Sequence, residues 1–347
     1  MRDASQKSLS HTEIGFFCSP IGLGHATRDV AVAEFLNKAS TKFVTGSGAA
    51  KLISEYGYTV RDDYSPPSFD VQNGKLQGSL RWLWKYYQYY KDCKEISQAF
   101  IKDQAPKLVV SDEDFASLNV AQQKKIPSIL ITDILQTNFT RGIGSLIEKK
   151  MNQSMKDIIK KCDAVILPET GDDVDNITYV GPIVRSIHHT REQLREKFSL
   201  TRRTIVASVG GTDAGKFLIQ KTIEAASKIK DIDLVLVSGP TLKIENPNVR
   251  NLGFVNNLHE IIYAADLVVS LAGKSTIDES KAYGTPGIFI PIKNHFEQED
   301  NAKHEGYSFD DIHNLDSLIP QKLEAKRSQT QTDGAKKVAQ IILQYLR

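Results

Sequence analysis

The sequence predicts an α/β protein made of two facing, doubly wound, Rossmann-like parallel-sheet domains with a cleft between them. Short β-branched runs alternate with helical stretches, as in "IGFFCSP" before "ATRDVAVAEFLNKA" and "KLVVSD" before "FASLNVAQQKKI". Strand followed by helix, repeated, gives a parallel sheet with helices on both faces. The same rhythm restarts after residue 200 with "RTIVASVGG" and "AGKFLIQKTIEAASKIK". A chain of 347 residues also exceeds what one hydrophobic core usually serves.

In the first half, "PSILITD" and "DAVILPE" continue the strands. In "YVGPIVRSIHHTREQLREKF", Gly181-Pro182 breaks regular structure before a charged helix start, so the junction is expected near residues 182–190. Residues 1–184 then form one domain and 185–347 the other. In the second, "DLVLVSG", "HEIIYAA", "DLVVSLAG", "STIDESKAYG" and "PGIFIPI" supply alternating strands and helices. The tail "DGAKKVAQIILQYLR" has apolar residues at helical spacing and reads as a closing helix, free to pack back on the first domain. Ligands of such proteins bind in the cleft.

Composition narrows the function. With 40% hydrophobic and 25% charged residues and a formal charge of +2, the chain reads as an ordinary soluble globular protein without a field for nucleic acid. Cys18, Cys93 and Cys162 form no CxxC pair, which fits reduced cytoplasmic thiols and neither a disulfide frame nor a metal site. The start "MRDASQKSLSHTEI" lacks the apolar core of a signal peptide. No run approaches the ~18 apolar residues of a membrane span. A cytoplasmic protein without cofactor is expected.

Three glycine loops carry the chemistry. "SLAGKST" ends like a nucleotide-hydrolase phosphate loop, but the early glycine of G-x-x-x-x-G-K-[ST] would fall on Val268, inside an apolar run that should be a strand. What survives is a turn between strand and helix whose free amides attract an anion, at Gly273, Lys274, Ser275 and Thr276. "ASVGGTDAGK" offers a second such turn at Gly210, Gly211 and Thr212. Placed side by side on one sheet, the two could clamp a diphosphate. "SPIGLGHATRD" sets Gly22, Gly24 and His25 at the end of the first strand, and it is not the dinucleotide fingerprint because Thr27 stands where a glycine is needed. Glu279 lies one helical turn beyond Thr276, where it could accept hydrogen bonds from ribose hydroxyls or form a capping box. "FEQEDNA" brings Glu297, Gln298 and Asn301, which match the directional donors and acceptors of a polyhydroxyl ligand.

In order, "SPIGLGHATRD", "SVGGTDAG", "GFVNNLHEIIYAADLVVSLAGKSTIDESKAYGTPGIFIPI" and "FEQEDNA" resemble the GT-B glycosyltransferases, most closely the glycosyltransferase 28 (MurG-like) type. The resemblance implies transfer of a sugar from a nucleotide-diphosphate sugar, with UDP the expected nucleotide, by inversion and without bound metal. It places the base at the backbone of Val255, the ribose at Glu279, the diphosphate at the loops of Gly210 to Thr212 and Gly273 to Thr276, and the sugar at Gln298 and Glu297. His25 matches the histidine bordering donor and acceptor; near a neutral pKa it could remove the acceptor's proton. Leu271-Ala272-Gly273 departs from the family's His-Gly or Arg-Ser-Gly, and Lys274 could replace the missing phosphate contact.

The partners implied are the donor and an unidentified hydroxyl acceptor on the first domain. "VVSDEDFAS" puts Asp112, Glu113 and Asp114 at a strand end, with Asp112 a second base or an orienter of His25, or else an acidic run that complements a helix dipole. "RWLWKYYQYYKDCK" could lie on a membrane and admit a lipid-linked acceptor, could stack on sugars, or could pack into its own domain. Two alternatives stand: an enzyme of the UDP-N-acetylglucosamine 2-epimerase kind, and a non-catalytic nucleotide-sugar-binding subunit.

Overall fold

The computed structural model describes residues 12–138, 144–210, 215–239, 244 and 249–347. Strands β1 (Ile14–Cys18), β2 (Thr41–Thr45) and β3 (Thr59–Asp62) precede a small antiparallel hairpin of β4 (Asp70–Gln72) and β5 (Lys75–Gln77). Then come β6 (Leu108–Asp112), β7 (Ser128–Ile131), β8 (Ala164–Leu167) and β9 (Ile177–Tyr179). The second half holds β10 (Arg203–Ser208), β11 (Ile232–Val237), β12 (Arg250–Asn251), β13 (Leu267–Leu271) and β14 (Gly287–Ile290).

Among the described residues these make two parallel sheets, ordered β3-β2-β1-β6-β7-β8-β9 and β12-β11-β10-β13-β14. Every residue of β1 and β6 is buried, as expected of central strands covered on both faces. In the first sheet the winding reverses between β1 and β6, and in the second between β10 and β13. Loops leaving the carboxyl ends of two strands at such a switch point diverge to opposite faces and leave a crevice between them. The first crevice receives the Gly22–His25 loop and Asp112. The second receives the turns at Gly210 and Gly273.

The chain crosses between the halves twice. After β9 the segment around Gly181-Pro182 leads to helix Arg191–Lys197, capped by Thr190 and Gln193. At the end the last helix, Gly334–Gln344, returns to the first sheet, where Val338, Ala339 and Ile342 join one core cluster with Ile14, Phe16 and Val30. The return runs close to the outgoing segment: a Cβ at Gly334 would come 2.4 Å from the carbonyl oxygen of Pro182. The hairpin adds a further tie. Leu76 N–H donates to Lys293 O and Lys293 N–H to Gly74 O, both at 2.9 Å.

The aromatic helix Ser79–Gln104 divides by face. Trp82 is buried, stacked on Phe69 and Tyr86 at centroid distances of 4.8 and 5.2 Å, while Trp84 is 65% exposed. Among the described residues no helix is long and apolar enough to cross a membrane. All three cysteines are free and buried.

Ile342 is fully buried in the first core although it belongs to the last turns of the chain. Ile342→Ala should therefore cost about 2–5 kcal/mol. Because both tryptophans, Trp82 and Trp84, lie in the first half, the loss should register as a lower midpoint of the tryptophan-fluorescence unfolding transition.

Candidate active site

A cavity of about 820 Å³ runs between the carboxyl edges of the two sheets. The first half lines it with Gly22, Gly24 and His25. The second lines it with Gly210, Val255, Gly273, Lys274, Ser275, Thr276, Glu279, Glu297 and Gln298. Gly211 and Thr212 lie outside the described residues. The remaining predicted residue, Asp112, is 0% exposed and stands directly behind His25.

His25 sits in the first turn of helix Gly24–Ala33, whose N-cap residue, Leu23, makes no side-chain cap. Its Nδ1 is 2.8 Å from Asp112 Oδ1. One turn on, Arg28 grips the same carboxylate, donating from Nε to Oδ2 at 2.8 Å and from Nη2 to Oδ1 at 2.6 Å. Its Nη1 donates to Asp133 after β7. Both oxygens of Asp112 are engaged and neither reaches solvent, an arrangement that orients the imidazole and leaves Nε2 to face the cavity. Burial disfavours its charge, but Arg28 and His25 outweigh it and hold the carboxyl far below the usual carboxylate range.

The expectation of a histidine near neutral pKa does not hold. Burial pushes the ring toward neutrality, but Asp112 and Glu113 outweigh it and raise the pKa to about 9.

The acidic run divides by residue. Asp112 goes to His25, whereas Asp114 takes the helix-cap reading, accepting from Ala116 N–H at 3.0 Å and from the hydroxyl of Tyr64 at 2.6 Å. Glu113 turns to the β7 end, where Oε1 accepts from Thr132 Oγ1 and Asp133 N–H. Across the cavity, burial, Glu113 and Asp133 push Glu297 up to about 8.

In the second half, β10 and β13 pair in parallel with Ser208 opposite Ser270, so the two turns stand side by side. Gly210 has φ +74°, a left-handed conformation that favours glycine. Gly273 caps helix Lys274–Tyr283 without a side-chain bond, so the first amides of that helix are left for a ligand. Ser275 Oγ donates to Gly24 O at 3.0 Å, which brings the N-termini of helices Gly24–Ala33 and Lys274–Tyr283 together. Two positive helix ends at one point suit an anion.

Lys274 is not aimed at a phosphate. Its Nζ donates to both oxygens of Asp278 at 2.6 Å and to Pro168 O at 3.3 Å, because a lysine one turn before an aspartate on the same helix face finds it directly. Burial raises Asp278 to about 6 despite that lysine.

Glu279 forms no capping box, since the cap residue is Gly273. Instead Arg185 binds it bidentately, Nε to Oε1 at 2.8 Å and Nη2 to Oε2 at 3.1 Å. Arg185 also donates to Asn256 O at 2.8 Å, and Tyr283 OH donates to Arg185 O at 2.7 Å. An ionised carboxylate has about four lone-pair sites, so this grip leaves acceptor capacity toward the cavity. Gln298 Oε1 accepts from Ile292 N–H at 3.1 Å, which turns its amide group outward, and Asn301 donates to Ala272 O at 3.2 Å.

The profile of the glycosyltransferase family 28 C-terminal domain matches residues 205–340, the half that carries the two turns, Glu279 and Gln298. The chain is a glycosyltransferase of GT-B fold whose second half matches the family 28 C-terminal domain. An uncharacterized glycosyltransferase of Methanosarcina acetivorans is 28% identical over 320 residues, covering 84% of this chain and 83% of that one. A UDP-N-acetylglucosamine--N-acetylmuramyl-(pentapeptide) pyrophosphoryl-undecaprenol N-acetylglucosamine transferase of Caldicellulosiruptor saccharolyticus is 26% identical over 312 residues, covering 81% and 78%. Among solved structures, the kitacinnamycin glycotransferase superposes with a TM-score of 0.63 at 15% identity, covering 96% and 99% of the two chains. The spinosyn rhamnosyltransferase SpnG, solved with thymidine diphosphate, gives 0.57 at 12%, covering 96% of each. At such identities the structures show the shared fold.

Arg28, Asp133 and Arg185 escaped the sequence reading. Arg28 had a signal, since it follows His25 by three residues and so shares its helix face. Arg185 had none, because nothing in a linker foretells which helix it will meet.

Asp29 is fully buried beside Cys18 and Asp112. Burial and Asp112 push its pKa well above the ordinary value. A carboxyl with a raised folded pKa contributes stability that is lost as pH climbs from about 4 through that pKa. Asp29→Asn should thus melt higher than wild type at pH 8, and the gap should shrink toward pH 4.

Proposed function

We propose that this glycosyltransferase moves a sugar from a nucleotide-diphosphate sugar, with UDP the expected nucleotide, to a hydroxyl acceptor, by inversion and without a metal. Residues 185–347 would bind the donor and residues 1–184 the acceptor. The observation that carries this reading is the meeting of two helix N-termini at Gly24 and Ser275, beside the Gly210 turn and in front of His25.

The diphosphate would lie on the amides of Lys274 to Thr276 and the turn beginning at Gly210. Glu279, aimed by Arg185, would receive the ribose hydroxyls, the backbone at Val255 would meet the base, and Gln298 with Glu297 would hold the sugar. The acceptor hydroxyl would approach Nε2 of His25, with the ring fixed by Asp112. As the sugar–phosphate bond breaks, the helix ends would stabilise the departing diphosphate, the service a metal gives elsewhere. The UDP-N-acetylglucosamine in the name of the Caldicellulosiruptor relative and the thymidine diphosphate bound to SpnG both support a nucleoside diphosphate.

The acceptor side of the cavity is apolar and aromatic, lined by Phe69, Trp82, Tyr86, Phe115, Met155 and Ile158. It suits an acceptor with an apolar portion, including a lipid-linked one. Exposed Trp84, Tyr87, Leu146 and Ile147 would then serve a peripheral contact with the inner membrane face of the cytoplasm.

A thermal-shift screen of nucleotides and nucleotide sugars tests the donor, since a ligand that binds only the folded state raises its melting temperature. UDP or another nucleoside diphosphate and its sugar should stabilise; stabilisation by ATP with none from any nucleotide sugar would contradict the reading. Glu279→Gln should weaken UDP binding about tenfold, from loss of a charged acceptor. His25→Ala should retain UDP affinity and lose about 10²–10⁴-fold in transfer.

A further inference from the structure

Glu113 has one carboxylate oxygen fixed and the other turned to the reacting centre. It leaves β6 with φ +54°, a left-handed backbone that a non-glycine residue adopts only where its surroundings impose it. Oε1 is pinned by Thr132 Oγ1 at 3.1 Å and Asp133 N–H at 3.0 Å. Oε2 lies 3.8 Å from Nε2 of His25. That separation is too long for a direct hydrogen bond, yet one hydroxyl oxygen fits about 2.8 Å from both atoms. Both side chains line the cavity.

Resting on the reading of donor and acceptor above, we propose that Glu113 is the catalytic base, its Oε2 receiving the acceptor's hydroxyl proton. The O–H bond breaks with its proton going to Oε2, and the oxygen's electron pair forms the bond to the anomeric carbon. The bond from that carbon to the β-phosphate oxygen breaks, and its pair leaves on the diphosphate. A ring with Nδ1–H held by Asp112 and Nε2–H facing the cavity has no lone pair to offer, so it donates to the developing charge while the carboxylate takes the proton.

The surroundings agree. Glu113 faces His25 and Arg28 from helix Gly24–Ala33, Asp112 from β6, Asp133 from the end of β7 and Glu297 from helix Phe296–His304. Burial with Asp133 and Asp112 outweighs the two cations and lifts its pKa above the ordinary value, which strengthens it as a base. His25 titrates at the far end of the window, at about 9.

The test has two arms, each on wild type, Glu113→Gln and Glu113→Asp, with melting curves to confirm folding. In the first, NMR follows the His25 ring against pH without ligand. The ring should stay charged through neutrality and titrate near 9, and lower in Glu113→Gln; a ring that titrates near 6.5 and ignores the variant overturns the proposal. In the second, hydrolysis of UDP-N-acetylglucosamine and of dTDP-glucose is followed against pH, with water as acceptor. The rate should trace a bell that falls above about pH 9. Glu113→Gln should lose at least about 100-fold at pH 7 with UDP affinity kept within about twofold, and Glu113→Asp should recover part of the loss. A rate that climbs to a plateau above pH 9, little changed in Glu113→Gln, makes His25 the base and overturns the proposal while leaving the donor reading intact. If neither donor is turned over and UDP does not bind, the donor reading fails, and the NMR arm still decides whether Glu113 governs His25.

Discussion

One buried carboxylate, Asp112, organises the centre of this enzyme. It ends β6 at the switch point of the first sheet, wholly out of water, and receives both Arg28 and His25. An isolated carboxylate there would be costly to ionise, so the arginine and the imidazolium are what keep it charged. In return it fixes which face of His25 turns to the cavity. Because Arg28 also reaches Asp133 beyond β7, three elements of the first half are locked around one negative charge.

The second half has its own buried pair, Arg185 and Glu279, and the contrast is informative. Arg185 comes from the segment that joins the halves, and its guanidinium reaches Glu279, Asn256 O and, at 3.4 Å, the hydroxyl of Tyr56 from the first half. The carboxylate assigned to the ribose is thus aimed by a residue of the crossing itself. On the proposed reading, donor binding and the contact between the halves would share this one side chain.

Much of this was legible in the sequence because it rests on local rules. Apolar runs alternating with helical periods marked β1, β6, β7, β8, β10, β11, β13 and β14 and both halves of the fold. The failure of the phosphate-loop pattern at Val268 was correct for the stated reason, since Val268 is a buried residue of β13. The neighbourhood of the Gly210 and Gly273 turns followed once both were assigned to one sheet. The hairpin β4–β5 is short and largely polar, so it gave no periodic signal, and its value lies in a backbone bond to Lys293 more than two hundred residues away. The site's electrostatics were the least legible part. Lys274, offered as a phosphate contact, pairs with Asp278, and Asp112 and Glu113 outweigh the push of burial on His25. Both outcomes depend on which carboxylates the fold gathers, and that is a long-range property.

The central claim is that a nucleoside diphosphate bridges the two strand-end turns of the second sheet in front of His25. A crystal structure with UDP bound tests it most directly. The account predicts the diphosphate on the backbone amides of Lys274 to Thr276, beside the Gly210 turn, with its terminal phosphate toward His25 and the ribose hydroxyls on Glu279. A diphosphate bound elsewhere, or one that leaves Glu279 and the helix end at Gly273 untouched, would contradict it.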